Sequence, residues 1–166
     1  MTYKYRYITP KQFSNIIITI DGEYLIGLWF EETKFESKDE LDSYKYLPII
    51  KEVVMWLDIY FSGKKPNFMP KYKLDYKTPF KKEVIDIIRT IEYGQLLTYK
   101  DIAKTIADKR NIKKMSCQAV GKVLGWNPIC IIIPCHRVIG SNGDITGYSG
   151  GINNKRELLK LEGITI

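Results

Sequence analysis

The sequence is poor in the residues from which metal centres and disulfide frameworks are built. Its 166 residues include one histidine and three cysteines. The cysteines, Cys117, Cys130 and Cys135, fall close together, an odd and bunched set unlike the even, dispersed pattern of a secreted disulfide scaffold. No C-x-x-C pair occurs, and Cys135 adjoins His136, an arrangement poorly suited to tetrahedral zinc. Residues 1–75 contain neither cysteine nor histidine, which excludes a zinc site built on those ligands there. Long apolar runs are missing too, so no segment is fit to span a bilayer. Met1 to Lys11 carries charge and tyrosine in place of a signal-peptide core. Repeats and low-complexity tracts are absent. The expectation is a soluble cytoplasmic protein with no membrane association and no metal.

What is present suits a folded chain. Hydrophobic residues make up 45% and charged residues 27%, which argues against disorder. The length allows one compact domain or two small ones sharing a core. The net charge of +7 is unevenly spread. Residues 1–75 carry 11 basic and 11 acidic groups, so the whole excess lies in residues 76–166. A one-sided excess is the footprint expected for a polyanionic partner, with plain solubility as the competing explanation.

The pattern along the chain predicts an α+β fold. A small sheet-plus-helix subdomain over 1–75 is expected to pack on a mainly helical domain over 76–166, which contains a helix-turn-helix and an active-site loop. Ile16 to Ile20 and Tyr24 to Phe30 are β-favouring runs around Asp21-Gly22-Glu23, a hairpin signal. An acidic, turn-rich connection is expected from Glu31 to Ser43. Apolar residues at helical spacing predict a helix over Pro48 to Phe61, and Lys65 to Lys77 reads as a tether. Thr78-Pro79 opens a helix whose stripe is Val84, Ile87, Ile88 and Ile91, with Gly94 as its stop. Thr98-Tyr99-Lys100-Asp101 has capping-box spacing. A basic loop is expected over Lys109 to Lys114. Ser116 then caps a helix that ends at Gly125. Ile129 to Ile133 reads as a buried strand or extended segment, and Asn153 or Asn154 as the cap of a last helix. Trp29 and Trp56 are assigned to the core, and Trp126 to packing at a helix end. Cys117 and Cys130 are read as small buried hydrophobes.

Chemistry concentrates at Cys135. A thiolate is the reactive form of cysteine, and a neighbouring base or cation raises its population. Pro134 fixes the backbone entering Cys135, the lone histidine follows, and Arg137 follows that. Three unconnected loop residues are the bland alternative.

The wider pattern resembles a known family. Asn127-Pro128, the run Ile131 to Ile139 through Pro134-Cys135-His136-Arg137-Val138, Gly147-Tyr148-Ser149-Gly150-Gly151 and Leu158 to Gly163 together resemble the methylated-DNA–protein-cysteine methyltransferases. These proteins reverse O6-alkylguanine damage directly. The resemblance is strong over residues 76–166, and over 1–75 it extends only to general layout. It implies Cys135 as methyl acceptor, His136 as a base acting through water, Glu162 as the carboxylate orienting that histidine, and Asn127 as a brace. Tyr99 becomes a donor to the flipped guanine. Tyr148 and Ser149 belong to the loop closing over the base, and the carbonyls of Cys135 and Val138 accept from the guanine amino group. Arg137, beside the substrate, is implied to brace the loop. The helix bearing Gln118, Ala119, Gly121 and Lys122 is implied to enter the minor groove, with Lys104, Lys109, Arg110, Lys113 and Lys114 near phosphates. Where the family commonly carries an intercalating arginine, this sequence has Gln118. The implied protein is a cofactor-free monomer acting once on O6-alkylguanine, and on O4-methylthymine, in duplex DNA. An alkyltransferase-like lesion binder, which lacks a cysteine at this position, and a cysteine hydrolase are the competing classes.

Overall fold

The computed structural model describes residues 2–31, 47–145 and 147–166. The expected connection from Glu31 to Ser43 lies, beyond Glu31, outside the described residues. Two compact units are distinguished: Met1–Leu74 with Pro128–Ile132, and Asp75–Asn127 with Ile133–Ile166. Among the described residues no helix is long and apolar enough to cross a membrane.

In the first unit, β1 (Thr2–Tyr7), β2 (Ile16–Asp21) and β3 (Tyr24–Phe30) form an antiparallel sheet in chain order. The β2–β3 hairpin turns at Gly22, whose φ of 61° is the left-handed conformation that Asp-Gly favours. Strand β1 carries no clear strand signal in the sequence. Its tyrosines alternate with Lys4 and Arg6, yet most of the strand is half-exposed, so it lacks the apolar contrast that marks a core strand. Helix α1 (Pro48–Phe61) buries Ile49, Ile50, Val53, Trp56, Leu57 and Tyr60. Trp56 stacks on Tyr60, and Tyr7 of β1 donates to Asp58 of α1 at 2.7 Å. Both Trp29 and Trp56 are buried, as expected.

Two expectations on this unit need correction. The tether is partly anchored, because Leu25 and Lys71–Lys73 exchange backbone hydrogen bonds of 2.8 and 3.0 Å beside β3. Ile129–Ile133 is buried but forms no strand. Leu28 pairs with Ile129 as a single bridge, and Ile131 then turns at a φ of 69°, ending the extended geometry.

The second unit holds α2 (Pro79–Ile88), β4 (Leu97–Thr98), α3 (Tyr99–Arg110), α4 (Cys117–Trp126), β5 (Val138–Ile139) and α5 (Ile152–Leu161). Thr78 caps α2 by accepting from the Lys81 amide. The helix stops at Ile88, short of the expected Gly94, so Ile91 is buried from a turn beyond the helix. Thr98 and Asp101 form a reciprocal capping box at the start of α3, with bonds of 3.0 and 2.9 Å. Lys109 and Arg110 belong to the last turn of α3, so the connection to α4 begins at Asn111, where the backbone turns left-handed. Ser116 caps α4, which runs one residue past Gly125. The α5 cap is Gly151 at a φ of 94°, and Asn153 and Asn154 lie inside the helix; Asn154 points back and donates to the Gly150 carbonyl. A parallel pairing of β4 with β5 sets Leu97 beside Val138 and Thr98 beside Ile139. Tyr99 is thereby fixed relative to the segment that carries Cys135.

Thr98→Ala removes the capping acceptor of α3 and is expected to cost about 1 kcal/mol. The thermal midpoint should fall by roughly 2–4 °C, read by circular dichroism, for a chain of this size.

Candidate active site

Cys135, His136 and Arg137 form one turn of 3-10 helix entered from Pro134. The turn is closed to solvent, with Cys135 at 1% exposure and His136 at 0%. Asn127, the residue that ends α4, is buried, and its amide nitrogen lies 3.1 Å from both the Ile133 carbonyl and Cys135 Sγ. One side chain thus fixes the strand of backbone before the cysteine and donates to its sulfur. A donor on sulfur favours thiolate over thiol.

Behind the sulfur stands a buried charge cluster. His136 Nε2 and Glu162 Oε2 are 2.6 Å apart. Arg137 donates to Glu162 Oε1 at 2.7 Å and Oε2 at 3.2 Å, and to the Ile91 carbonyl at 2.8 Å. The Gly94 amide completes the carboxylate at 2.9 Å. Gly94, expected as a helix stop, instead serves as a donor at a left-handed turn. Burial by itself would push the Glu162 carboxyl up, but the contacts of His136 and then Arg137 hold it well below the usual carboxylate range. Burial holds the His136 imidazole below its ordinary value, against the pull of Glu162 and with the help of the Arg137 and Lys155 charges. A neutral imidazole that gives its Nε2 proton to Glu162 carries its basic lone pair on Nδ1.

Lys155 was absent from the expected site. It is 1% exposed, and its ammonium donates to the Val138 carbonyl at 2.6 Å. Burial pulls its pKa down to about 8, while the charges of Cys135 and Asp144 push the other way. The Val138 carbonyl, expected to face a guanine amino group, therefore already accepts from Lys155. The overlooked signal is spacing. Lys155 falls at i, i+3, i+4 and i+7 with Leu158, Leu159 and Glu162, all buried, so a lysine occupies the inward face of α5.

A cavity of about 890 Å³ is lined by Tyr99 and Lys100 of α3, Gln118, Gly121 and Lys122 of α4, and Gly140, Asp144 and Gly147. Burial, then the charges of Cys135 and Asp144, raise the Tyr99 phenol, which keeps its proton. Cys135 is not part of the cavity wall; a Cβ added at Gly147 would stand 3.7 Å from the Tyr99 hydroxyl. Tyr148 is buried with its ring near the Lys155 ammonium, and Ser149 is half-buried. Ala119 is half-buried on α4. Lys104, Lys113 and Lys114 are exposed and lie outside the cavity wall. Arg110 is committed to Glu83 at 2.6 Å. Cys117 proves exposed and lines the cavity, contrary to expectation, because position 117 falls on the outward face at the start of α4; Cys130 is buried as expected.

The lone histidine offers a clean pH test. Folding holds it neutral, whereas the unfolded chain protonates it below about pH 6.5. Stability contributed by the neutral imidazole is present above that pH and is lost as pH falls through it. Denaturant titrations from pH 7 to 5.5 should show this loss, and His136→Asn should flatten it; an unchanged slope contradicts a neutral buried imidazole.

Comparison with known proteins bears on the same residues. The family model for the 6-O-methylguanine DNA methyltransferase DNA-binding domain matches residues 79–164. The methylated-DNA–protein-cysteine methyltransferase of Haemophilus influenzae is 33% identical over 99% of this chain and 89% of its own length. That of Methanosarcina mazei is 37% identical over 95% and 96%. A crystal structure of Mycobacterium tuberculosis OGT in complex with DNA superposes with a TM-score of 0.77 at 34% identity, covering 97% of this chain and 91% of that one. The α+β fold is that of these alkyltransferases, and the clustered Cys135, His136, Asn127 and Glu162 stand within the matched domain: the chain belongs to the methylated-DNA–protein-cysteine methyltransferase family, enzymes that act on DNA.

Proposed function

We propose that Cys135 takes the alkyl group from O6-alkylguanine in duplex DNA, and from O4-methylthymine by the same geometry, in one irreversible transfer per chain. The observation that supports this most directly is the sulfur held by Asn127 in a turn that continues into the buried His136–Glu162 pair.

The chemistry follows from the groups present. The alkyl carbon is sp³ and must be attacked in line by a strong, soft nucleophile, which a thiolate is. His136 takes the thiol proton through water, using Nδ1. Glu162 remains ionised and steadies the imidazolium while it exists, and the Lys155 ammonium and the Asn127 amide favour the sulfur anion. Sulfur then bonds to the methyl carbon as the carbon–O6 bond breaks. The electron pair passes to the guanine, and the proton first taken from the thiol balances the guanine product. The Tyr99 hydroxyl, kept protonated, donates to the guanine as charge develops. The Ser149 segment closes the other side.

Such an attack cannot reach a stacked base, so the nucleotide must leave the helix, and the cavity beside Tyr99 is the space available to it. In this reading α4 lies in the minor groove, where lesion repair needs no sequence code. Lys104, Lys113 and Lys114 contribute sequence-independent phosphate contacts. Gln118 faces the cavity from α4 and fills the gap left by the extruded base. The methyl comes from the DNA, so no cofactor enters, and the thioether formed has no route back to thiol. One chain acting as a monomer suffices.

Mass spectrometry after mixing with O6-methylguanine duplex should show one added methyl, on Cys135, with no conversion beyond one equivalent. Cys135→Ala should retain DNA binding and lose transfer. Repeated turnover, or methylation of Cys117 or Cys130, overturns the proposal.

A further inference from the structure

The face of α4 that lines the cavity does not end there. Gln118, Gly121 and Lys122 are cavity residues, and the helical repeat carries the same face on to Gly125 and Trp126. A Cβ added at Gly125 would meet nothing within 4 Å, so at that position the helix has room for an approaching surface. At its far end Trp126 is half-exposed, unlike the buried Trp29 and Trp56. The Lys81 ammonium sits 4.5 Å above the Trp126 ring centroid, and the Tyr76 ring leans against it at 6.3 Å and 45°. The backbone amide of Lys81 is held by the Thr78 cap in the first turn of α2. The neighbouring cations are already matched, Lys82 with Asp86 and Lys77 with Asp75.

We infer that Trp126, with Lys81 and Tyr76, forms a second contact with duplex DNA, on the arm of the double helix that runs past the C-terminal end of α4. The inference rests on the proposed seating of α4 on DNA and extends that interface along the helix. From Gln118 to Trp126 is about 12 Å along the axis. That distance corresponds to roughly three to four base pairs from the extruded nucleotide. The chemistry fits a DNA backbone: Lys81 turns from the indole to a phosphate, and the uncovered indole packs on the apolar faces of deoxyribose or a base edge.

The test uses the full chain and duplexes carrying O6-methylguanine, one long on both sides of the lesion and two truncated short of that distance on either side. Selective tryptophan excitation should report an emission change on binding the long duplex, and Trp126→Phe should remove it. Lys81→Gln should lower the log–log salt dependence of binding by about 0.9, the value of one phosphate contact. Trp126→Ala should weaken binding to the long duplex by about fivefold or more. That penalty should vanish on one of the two truncated duplexes. Unchanged emission in the unmutated chain, or Trp126→Ala and Lys81→Gln binding like wild type on every duplex, overturns the inference. The emission of the unmutated chain is read without any substitution, so poor folding of a Trp126 variant cannot obscure an unchanged signal. Methyl transfer to Cys135 on the long duplex is followed in parallel. Its persistence in the variants leaves the proposed reaction standing when the second contact fails, and its absence in wild type counts against the reaction itself.

Discussion

A single carboxylate organises the second unit. Glu162 receives the Gly94 amide, two donors from Arg137 and the imidazole of His136, all from segments distant in sequence. An ionised carboxylate carries a heavy desolvation penalty when buried, and removing one partner leaves the rest uncompensated. The cluster therefore tolerates few arrangements. It joins the end of α5, the loop after α2 and the cysteine turn in one geometry. Arg137 extends the same constraint to the Ile91 carbonyl, and its guanidinium lies over the Tyr93 ring. The His136 imidazole is positioned by charge satisfaction, and apolar packing fills the space around it.

Lys155 works from the other side of the turn. Its bond to the Val138 carbonyl fixes the start of β5, and β5 pairs with β4 immediately before Tyr99. The sulfur and the phenol, more than thirty residues apart in the chain, are thereby held in register by two short strands and one buried ammonium. Thr98 has two roles here, as the last residue of β4 and as the cap that starts α3.

Much of this could be read in the sequence where local rules act alone. Asp21-Gly22, Pro48, Thr78-Pro79 and the Thr98–Asp101 box each specify a turn or a helix start through local backbone geometry or capping bonds, and all of these appear as expected. The ends of helices were harder. Gly94 and Asn153 carry stop and cap chemistry, yet tertiary partners claimed that chemistry for other uses or earlier residues ended the element. The cysteine motif singles out Cys135, His136 and Glu162 because their order along the chain is distinctive, and the structure sets His136 against Glu162. Lys155 escaped because a lysine on an apolar face is judged a surface residue until a carbonyl is seen to meet it. Cys117 was misread for the converse reason. Its side chain is small and apolar enough for a core, and only the register of α4 turns it outward. Strand β1 lacks a buried face strong enough to distinguish it from charged coil.

The near-complete burial of Cys135 has a bearing on the cell's ordinary chemistry. In the proposed reaction the sulfur is consumed once, so each chance encounter with an oxidant or a soluble electrophile would waste a whole polypeptide. Enclosure at 1% exposure confines its reactivity to whatever is delivered into the turn, while the thiol of Cys117 stands in open water on the same unit. Reagents free in solution meet that outer thiol first, and burial shields Cys135 from them.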